Sequence, residues 1–223
     1  MPVNTYIFDF DGTLVDSMPY YGPAMLSVLD EYPIPYGDDM LKIITPLGFM
    51  GTAKYFISLG VPLTIEELAQ HLGAKLMRVY SETIPAKNNV LETLAELRSR
   101  GCDLNILTAS PHITLDPCVK RLGLDKLVNN VWSCDDFGTT KSDPEIYKMA
   151  AEKLGKDVSD IIFIDDNPEA DRTAKSAGMT VYGIYDESSK EYAEEMKAFC
   201  DRYIYDMSEL LEVKKQEKQR RDF

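Results

Sequence analysis

Short apolar runs alternate with amphipathic stretches along most of this chain. The segments between the apolar runs carry apolar residues at helical spacing. Two of the runs, 104–107 and 161–164, are almost continuously apolar, which is typical of strands buried on both faces of a parallel sheet. This alternation predicts an α/β fold, a Rossmann-like doubly wound parallel sheet with right-handed crossovers. The predicted strands lie at 5–10, 104–108, 130–133, 161–164 and 180–184.

Polar residues that favour helix starts precede three of the predicted helices. Asn89 is followed three residues later by a glutamate, a spacing that predicts a capping box. Asp143 and Asn167 are each followed by a proline, which is favoured at the first position of a helix. We therefore expect helices to begin directly after these three residues.

Residues 17–85 interrupt the alternation of strands and helices. Three leucines from Leu68 onward recur every four residues, which predicts an amphipathic helix, and no strand pattern occurs in this stretch. We expect a helical domain of residues 17–85, inserted after the first strand into a core formed by 1–16 and 86–213. Positions 214–223 are predicted to form a basic C-terminal tail, either solvated or an interaction arm.

The chain is acidic, with 24 Lys and Arg against 37 Asp and Glu and a net charge of −13 over 223 residues. This charge argues against nucleic acid and anionic membranes as partners, and it should also repel a small anionic substrate. No apolar run approaches the roughly 20 residues of a membrane span, and the basic region that opens a signal peptide is missing. We expect a cytoplasmic protein that is a monomer or a homodimer.

The four cysteines are scattered without a Cys-x-x-Cys pair, and there are two histidines. This pattern argues against disulfides and zinc and predicts reduced thiols. Neither His71 nor His112 lies near a nucleophile-elbow motif, which argues against Ser-His-Asp catalysis. We expect His71 to be structural or exposed, and His112 to be either a surface residue or a substrate contact.

The strongest local signal is the sequence Asp-Phe-Asp-Gly-Thr, which begins at Asp9 where the first predicted strand ends. Asp9 and Asp11 lie two residues apart, and Gly12 then permits a sharp turn. Ligands bind at the carboxyl ends of strands in open α/β sheets, so we expect chemistry at this point. Aspartates are unfavourable at a strand end unless something compensates for them, and a divalent cation would do so. The alternative is a turn with an Asx cap.

Polar residues follow other predicted strands in the same way. The run 108–110, Thr-Ala-Ser, offers hydroxyls and backbone N–H groups suited to a phosphate. Lys141 precedes a helix start, and Asp165 and Asp166 end the fourth predicted strand, with Asp171 shortly after. Because the carboxyl ends of parallel strands meet at one edge of a sheet, we expect these residues to form one site with Asp9.

Together these blocks resemble the haloacid dehalogenase superfamily of phosphohydrolases, in the subfamily with a helical cap after the first strand that includes phosphoglycolate phosphatase and β-phosphoglucomutase. The resemblance implies that Asp9 is the nucleophile that becomes an aspartyl phosphate. It implies that Asp11 is the general acid and then the general base. It also implies Mg²⁺ as the cofactor, bound by Asp9, the Asp11 backbone carbonyl and Asp166. Either Asp165 or Asp171 is the second acidic group of the metal site; we favour Asp165 and take Asp171 as the candidate for an outer carboxylate.

The same resemblance implies a phosphate site in which Lys141 bridges Asp9 and the phosphate. Two departures from the family pattern occur. Ser142 follows Lys141 where many members have proline, and Asn88 or Asn89 stands where the family usually has glycine. Asparagine tolerates the left-handed conformation that such a glycine adopts. The residues implied to bind phosphate are Asp11, Gly12, Thr108, Ala109, Ser110 and Lys141.

The implied activity is Mg²⁺-dependent hydrolysis of a small phosphorylated metabolite. An acid at position 11 favours phosphate-ester chemistry over dehalogenation. A phosphosugar mutase with the same aspartates is the alternative enzyme. The non-enzyme alternative is a receiver-like phospho-acceptor module, in which the acidic pair precedes the phosphorylated aspartate. The aromatic and Met-rich runs 18–21 and 47–51 could line an apolar substrate pocket or pack between helices.

Overall fold

The computed structural model describes residues 4–37, 39–44 and 47–212. The chain divides into two compact units, one of Met1–Asp16 with Pro85–Phe223 and one of Ser17–Ile84. The second crossing between the units therefore lies one residue earlier than the predicted one. The predicted basic tail lies outside the described residues.

A six-stranded sheet forms the centre of the first unit. Its strands are β1 Thr5–Phe8, β2 Asp103–Thr108, β3 Asn130–Ser133, β4 Ile161–Asp165, β5 Thr180–Ile184 and β6 Arg202–Ile204. They lie in the order β3-β2-β1-β4-β5-β6, and every neighbouring pair is parallel. The predicted doubly wound parallel sheet is confirmed. The sequence did not predict β6, because its three residues are too few to show a period.

Helices fill the segments between the strands and make up the second unit. In chain order they are α1 Met18–Leu29, α2 Met40–Ile44, α3 Gly48–Ser58, α4 Ile65–Glu82, α5 Val90–Ser99, α6 His112–Leu122, α7 Glu145–Leu154, α8 Pro168–Ala177 and α9 Ala193–Phe199. Short 3₁₀ turns complete several of the connections.

Helices α7 and α8 pack on one face of the sheet. Ile7, Phe163 and Val181 come from three strands of the sheet and share a buried apolar cluster with Tyr147 and Ala174 of these helices. The rings of Tyr147 and Phe163 meet edge to face with centroids 5.1 Å apart. Burial of large apolar side chains of this kind is the main source of fold stability.

The helix starts follow the sequence signals in part. The Asn167 side chain accepts hydrogen bonds from two backbone N–H groups of α8, and Pro168 takes the first helical position as predicted. The capping box predicted at Asn89 is wrong, since Asn89 has a left-handed backbone with φ +60° and makes no side-chain cap. Its amide instead donates to both carboxylate oxygens of Asp206, at 3.1 and 3.0 Å.

Helix α7 begins one residue later than predicted. It starts at Glu145, whose backbone N–H donates to the Asp143 carboxylate at 3.0 Å. The aspartate therefore satisfies a free N–H group of the first turn, as a capping residue does.

In its described residues, the second unit consists of helices and the turns that connect them, without a strand. Helix α4 begins with a capping box of Thr64 and Glu67, and its Leu68 and Leu72 belong to the same buried apolar cluster as Phe56 of α3. Within the runs 18–21 and 47–51, Tyr21 and Phe49 pack against this core, whereas Leu47 and Met50 are exposed. That this unit acts as a cap stays a prediction.

His71 of α4 has a structural partner in the same unit. Its Nε2 lies 2.6 Å from Glu31 Oε2, and Lys75 lies 2.5 Å from the other oxygen of Glu31. The expected structural role of His71 agrees with these contacts.

All four cysteines carry free thiols, at Cys102, Cys118, Cys134 and Cys200. In the part of the chain that the structure describes, none of the helices is both long enough and apolar enough to span a bilayer.

Candidate active site

The turn after β1 fixes the first two aspartates. Asp9 continues the ladder with β4, since its N–H donates to the Ile164 carbonyl at 2.8 Å. The chain then folds back sharply at Gly12, where φ is +80° and the N–H donates to Val15 at 2.9 Å. Asp9 is buried and Asp11 is half-buried. The turn therefore holds two carboxylates at the carboxyl end of a central strand, as the sequence predicts.

Lys141 joins the ends of two neighbouring strands. Its ammonium lies 2.6 Å from Asp9 Oδ1 and 2.7 Å from Asp165 Oδ2. The Tyr147 hydroxyl lies 2.9 Å from the Lys141 carbonyl oxygen and 3.0 Å from that of Ala170, which anchors the loop carrying the lysine. Lys141 therefore lies within the predicted site, paired with both Asp9 and Asp165.

Three buried carboxylates lie together at this edge of the sheet. Asp9, Asp165 and Asp166 each offer one oxygen, and these oxygens lie within 4.8 Å of one another. Burial, with Asp165 and Asp166 nearby, raises the pKa of Asp9 well above its usual range, although Lys141 opposes the shift. Burial followed by repulsion from Asp165 and Asp186 raises the pKa of Asp166 to about 7.

Lys141 stays an ammonium in this environment. Burial alone would lower its pKa, but the attraction of Asp165 and Asp9 outweighs burial and holds the pKa well above its usual range. Three ionised carboxylates facing one ammonium would leave two negative charges in a buried place. Such an excess is costly unless a cation compensates for it.

This donor set fits a divalent cation. The three side chains offer only carboxylate oxygens, the ligands that hard cations such as Mg²⁺ prefer. Asp165 is partly engaged already, because Oδ1 accepts the Asn167 N–H at 2.8 Å and Oδ2 binds Lys141. Asp166 and Asp9 therefore have the most capacity to bind a cation.

Asp171 does not belong to this group. Within the described residues, the group of carboxylates that could hold a metal contains Asp9, Asp165 and Asp166. Asp171 is buried on α8, where Oδ2 accepts a weak hydrogen bond from the Cys200 thiol at 3.4 Å. Burial, with Asp165 nearby, raises the pKa of Asp171 well above its usual range. Of these two aspartates, it is therefore Asp165 that lies with Asp9 and Asp166, and its role as a metal ligand stays a prediction.

Gly12 and Thr13 support Asp166 directly. The Thr13 hydroxyl donates to Asp166 Oδ1 at 3.0 Å. A Cβ at position 12 would lie 2.6 Å from both carboxylate oxygens of Asp166, and the backbone there is left-handed. Only glycine therefore allows Asp166 this approach without strain.

The loop after β2 provides hydroxyls and backbone N–H groups. Thr108 is buried at the end of β2, and its hydroxyl oxygen accepts the Ser110 N–H at 3.1 Å. The Ser110 hydroxyl donates to Asp11 Oδ2 at 2.5 Å, a contact that the sequence did not indicate. Ala109 lies between them and is exposed. The loop therefore lies beside Asp11, and Ser110 orients that carboxylate.

Lys87 and Asp186 lie beside the candidate site, and the sequence patterns did not predict that they would. The Lys87 ammonium lies 2.6 Å from the Gly12 carbonyl oxygen and 2.9 Å from Asp186 Oδ2. Asp186 comes shortly after β5, and the rule that polar groups at strand ends meet could have found it. The position of Lys87 carries no such signal.

His112 is a half-exposed residue at the start of α6. Its ring nitrogens lie 2.7 Å from Asp116 Oδ1 and 2.8 Å from Asp136 Oδ2. Hydrogen bonds to Asp116 and then Asp136 raise the pKa of His112. These contacts match the surface alternative for His112.

Comparison with known proteins gives the family. The model of the haloacid dehalogenase-like hydrolases matches residues 3–178, and the chain belongs to this family of enzymes. It is 28% identical over 180 residues to a phosphorylated carbohydrates phosphatase of Thermotoga maritima, covering 80% of this chain and 83% of the relative. It is also 28% identical over 213 residues to the pyrophosphatase PpaX of Bacillus velezensis, covering 95% and 96%.

A solved structure is similar over nearly the whole chain. The crystal structure of a candidate β-phosphoglucomutase from Thermotoga maritima superposes with a TM-score of 0.82 at 25% identity, covering 96% of this chain and 99% of that one. The resemblance inferred from the sequence motifs is confirmed. Membership in a hydrolase family also favours an enzyme over the receiver-like module.

Proposed function

We propose that this protein is a Mg²⁺-dependent phosphatase that hydrolyses a small phosphate monoester through an aspartyl phosphate on Asp9. The observation that carries the proposal is the buried Asp9 carboxylate, paired with the Lys141 ammonium at 2.6 Å, at the carboxyl end of a central strand. The family match and the phosphatase names of the relatives support the reaction class.

In the first half-reaction an oxygen of Asp9 attacks the phosphorus. A bond forms between this oxygen and the phosphorus while the ester P–O bond breaks, and Asp11 gives its proton to the departing alkoxide. A difficult single displacement is thus divided into two easier ones. The 2.5 Å hydrogen bond from Ser110 supports this role, because it orients the Asp11 carboxylate.

In the second half-reaction water attacks the phosphorus of the aspartyl phosphate. Asp11, now a carboxylate, accepts a proton from this water while the bond between Asp9 and phosphorus breaks. Inorganic phosphate leaves, and Asp9 and Asp11 return to their starting states. The same acid and base thus serves both steps, as microscopic reversibility favours.

Lys141, Thr108 and the backbone N–H of Ala109 would hold the phosphoryl oxygens. Lys141 stays charged beside Asp9, so it can lower the repulsion between this carboxylate and the incoming phosphate. The buried hydroxyl of Thr108 and the exposed loop position of Ala109 suit donors to an anion.

Mg²⁺ would be held by Asp9 and Asp166, with Asp165 beside them and the Asp11 backbone carbonyl. When bound it neutralises charge on the phosphoryl group and makes the phosphorus more open to attack. With all three carboxylates ionised, the cluster would carry two excess negative charges, which supports a divalent rather than a monovalent ion.

A phosphosugar mutase is the second candidate, favoured by the similarity to the candidate β-phosphoglucomutase. A mutase would pass the phosphoryl group from Asp9 to a second hydroxyl of the sugar rather than to water. The two candidates differ in their products, and ³¹P NMR separates isomerised sugar phosphate from inorganic phosphate.

The test is a panel of phosphate esters with Mg²⁺, comprising an aryl phosphate, sugar phosphates, phosphoglycolate and pyrophosphate. We expect release of inorganic phosphate from at least one ester, loss of activity in EDTA, and a loss of at least about 1,000-fold in Asp9→Asn. Circular dichroism checks that the variant is folded. Wild-type protein inactive on the whole panel, or a folded Asp9→Asn as active as wild type, would refute the proposal.

A further inference from the structure

Lys87 has all the hydrogen-bond partners that an ammonium can use. Its three protons meet three acceptors, the carbonyl oxygens of Gly12 at 2.6 Å and Tyr185 at 2.8 Å and the Asp186 carboxylate at 2.9 Å. The side chain is only 20% exposed, so these contacts replace most of the water around the charge. Charge-assisted hydrogen bonds of this kind are stronger and geometrically stricter than neutral ones.

The Gly12 carbonyl belongs to the peptide that joins Gly12 to Thr13. Both residues of that peptide lie close to Asp166. A Cβ at position 12 would come within 2.6 Å of its carboxylate oxygens, and the Thr13 hydroxyl donates to Oδ1 at 3.0 Å. Lys87 therefore donates a hydrogen bond to the peptide that lies next to the Asp166 carboxylate. A shift of this peptide would move Asp166 relative to Asp9.

The backbone of Lys87 is fixed to the same turn. Its N–H donates to the Leu14 carbonyl at 3.0 Å, and the preceding residue, Ala86, pairs with Val15 in an antiparallel bridge. Main chain and side chain thus hold the turn at two points, residues 14–15 and Gly12. Hydrogen bonds of both its main chain and its side chain therefore fix Lys87 against the turn.

The ion-pair partner of Lys87 is a buried carboxylate. Asp186 is 4% exposed, and its Oδ1 accepts hydrogen bonds from the N–H and hydroxyl of Ser188. Burial would raise the pKa of Asp186, but the hydrogen bonds from Ser188 and Lys87 outweigh burial and lower the pKa. The ionised Asp186 therefore ties Lys87 to the loop after β5.

We propose that Lys87 is a positioning residue for the metal site, which holds the Gly12–Thr13 peptide against Asp166 and thereby raises the affinity of the site for a divalent cation. This inference rests on the proposed function. Partners that orient metal ligands from outside typically change metal affinity or activity by about 10- to 100-fold when they are removed.

The test measures cation binding directly, with Mn²⁺ in place of Mg²⁺ and the free ion counted by EPR in the full chain. We expect Lys87→Met to bind Mn²⁺ about 10- to 100-fold more weakly than wild type. Lys175→Met is the matched control, because the Lys175 ammonium also binds a carbonyl and a carboxylate, Phe199 and Asp201, both at 2.8 Å. A folded Lys87→Met that binds Mn²⁺ within twofold of wild type overturns the inference. If Lys87→Met does not fold, Lys87→Ala, which also lacks a side-chain donor, decides by the same criterion.

A rescue experiment separates positioning from general destabilisation. Lys87 borders an open cleft of about 370 Å³ that small solutes can enter. In Lys87→Ala we expect methylammonium, but not tetramethylammonium, to restore part of the Mn²⁺ affinity, because only methylammonium can donate to the Gly12 carbonyl. A folded Lys87→Ala with weak Mn²⁺ binding that methylammonium does not improve overturns the inference.

Phosphatase activity of the wild type is measured in parallel. Wild type that binds Mn²⁺ but hydrolyses no ester refutes the proposed function. An active wild type together with normal cation binding in the Lys87 variants refutes only the role of Lys87.

Discussion

The central chemical problem of this site is three buried carboxylates with one ammonium among them. Asp9 and Asp165 share Lys141. Asp166 accepts a hydrogen bond from the Thr13 hydroxyl and occupies space that a side chain at Gly12 would fill. Without a cation the protein must either keep a proton on a carboxylate or tolerate repulsion. Both responses make folding depend on pH.

The pH dependence of stability has a definite sign. The pKa of Asp166 is raised from its ordinary value of 3.8 to about 7 when the metal-free protein folds. Between these values the folded state holds a proton that the unfolded state has lost, so stability falls as the pH rises from about 4 through about 7. Asp9 shifts in the same direction.

We therefore predict that stabilisation by Mg²⁺ grows with pH, because protons compete with the cation for Asp166 below about pH 7. Thermal unfolding between pH 5.5 and 8.5, in EDTA and in saturating Mg²⁺, measures this difference in Tm. Asp166→Asn should remove most of the Mg²⁺ effect and raise the Tm in EDTA at high pH. A Mg²⁺ shift in Tm that is flat or declines with pH would contradict this account.

At the scale of elements, the start of α5 depends on one left-handed residue. Asn89 has φ +60°, and its side-chain amide binds Asp206 at 3.1 and 3.0 Å. It therefore combines a backbone conformation that favours glycine with a side-chain link that glycine would lose. Helix α5 is in this way tied to the segment after β6.

We predict that Asn89→Ala lowers the free energy of unfolding by about 1–3 kcal/mol, since alanine disfavours the left-handed conformation and cannot bind Asp206. Asn89→Gly keeps the conformation and loses only the link, so it should cost about half as much. Urea unfolding of both variants gives the comparison. Equal losses would show that the backbone conformation contributes nothing.

The meeting of several site residues could be predicted from the sequence, because all strands of a parallel sheet carry the polar residues at their carboxyl ends to the same edge. Asp9 and Asp166 directly follow β1 and β4, Thr108 is the last residue of β2, and the pairing of these three strands brings the residues together. The position of Asp11 two residues after Asp9 places it in the same turn. For these residues, chain position alone decides spatial position.

Other contacts could not be predicted, because they depend on how distant segments pack. Lys87 and Asp186 are 99 positions apart, and nothing in their local sequence indicates a pair. Asn89 has the spacing of a capping box, yet its backbone is left-handed and its amide goes to Asp206. Here a tertiary contact overrides a local signal.

At the scale of the whole molecule, the net charge of −13 opposes the approach of a phosphate ester. In the proposed mechanism, Lys141 and a bound cation would reverse this charge only locally. That nucleic acid is not a partner stays a prediction from the general acidity. The same acidity predicts that binding of an ester depends steeply on the metal.

We predict that raising the ionic strength from about 0.01 M to about 0.1 M lowers KM for an aryl phosphate roughly two- to threefold, because the Debye length falls from about 30 Å to about 10 Å. Mg²⁺ is kept saturating at each salt concentration, and kcat should change little. Steady-state kinetics gives both constants. A KM that is constant or rises with salt would show that the overall charge does not affect binding.

The proposed mechanism depends most on the covalent role of Asp9. With a good leaving group the first half-reaction needs no acid, so Asp11→Asn should form the aspartyl phosphate and hydrolyse it slowly. The measurement is acid quenching of Asp11→Asn with Mg²⁺ and an aryl phosphate, followed by intact-mass and peptide mass spectrometry. We predict a phosphate adduct on Asp9, absent when Asp9→Asn is added to the variant. An Asp11→Asn protein that releases the aryl alcohol without any adduct on Asp9 would contradict the mechanism.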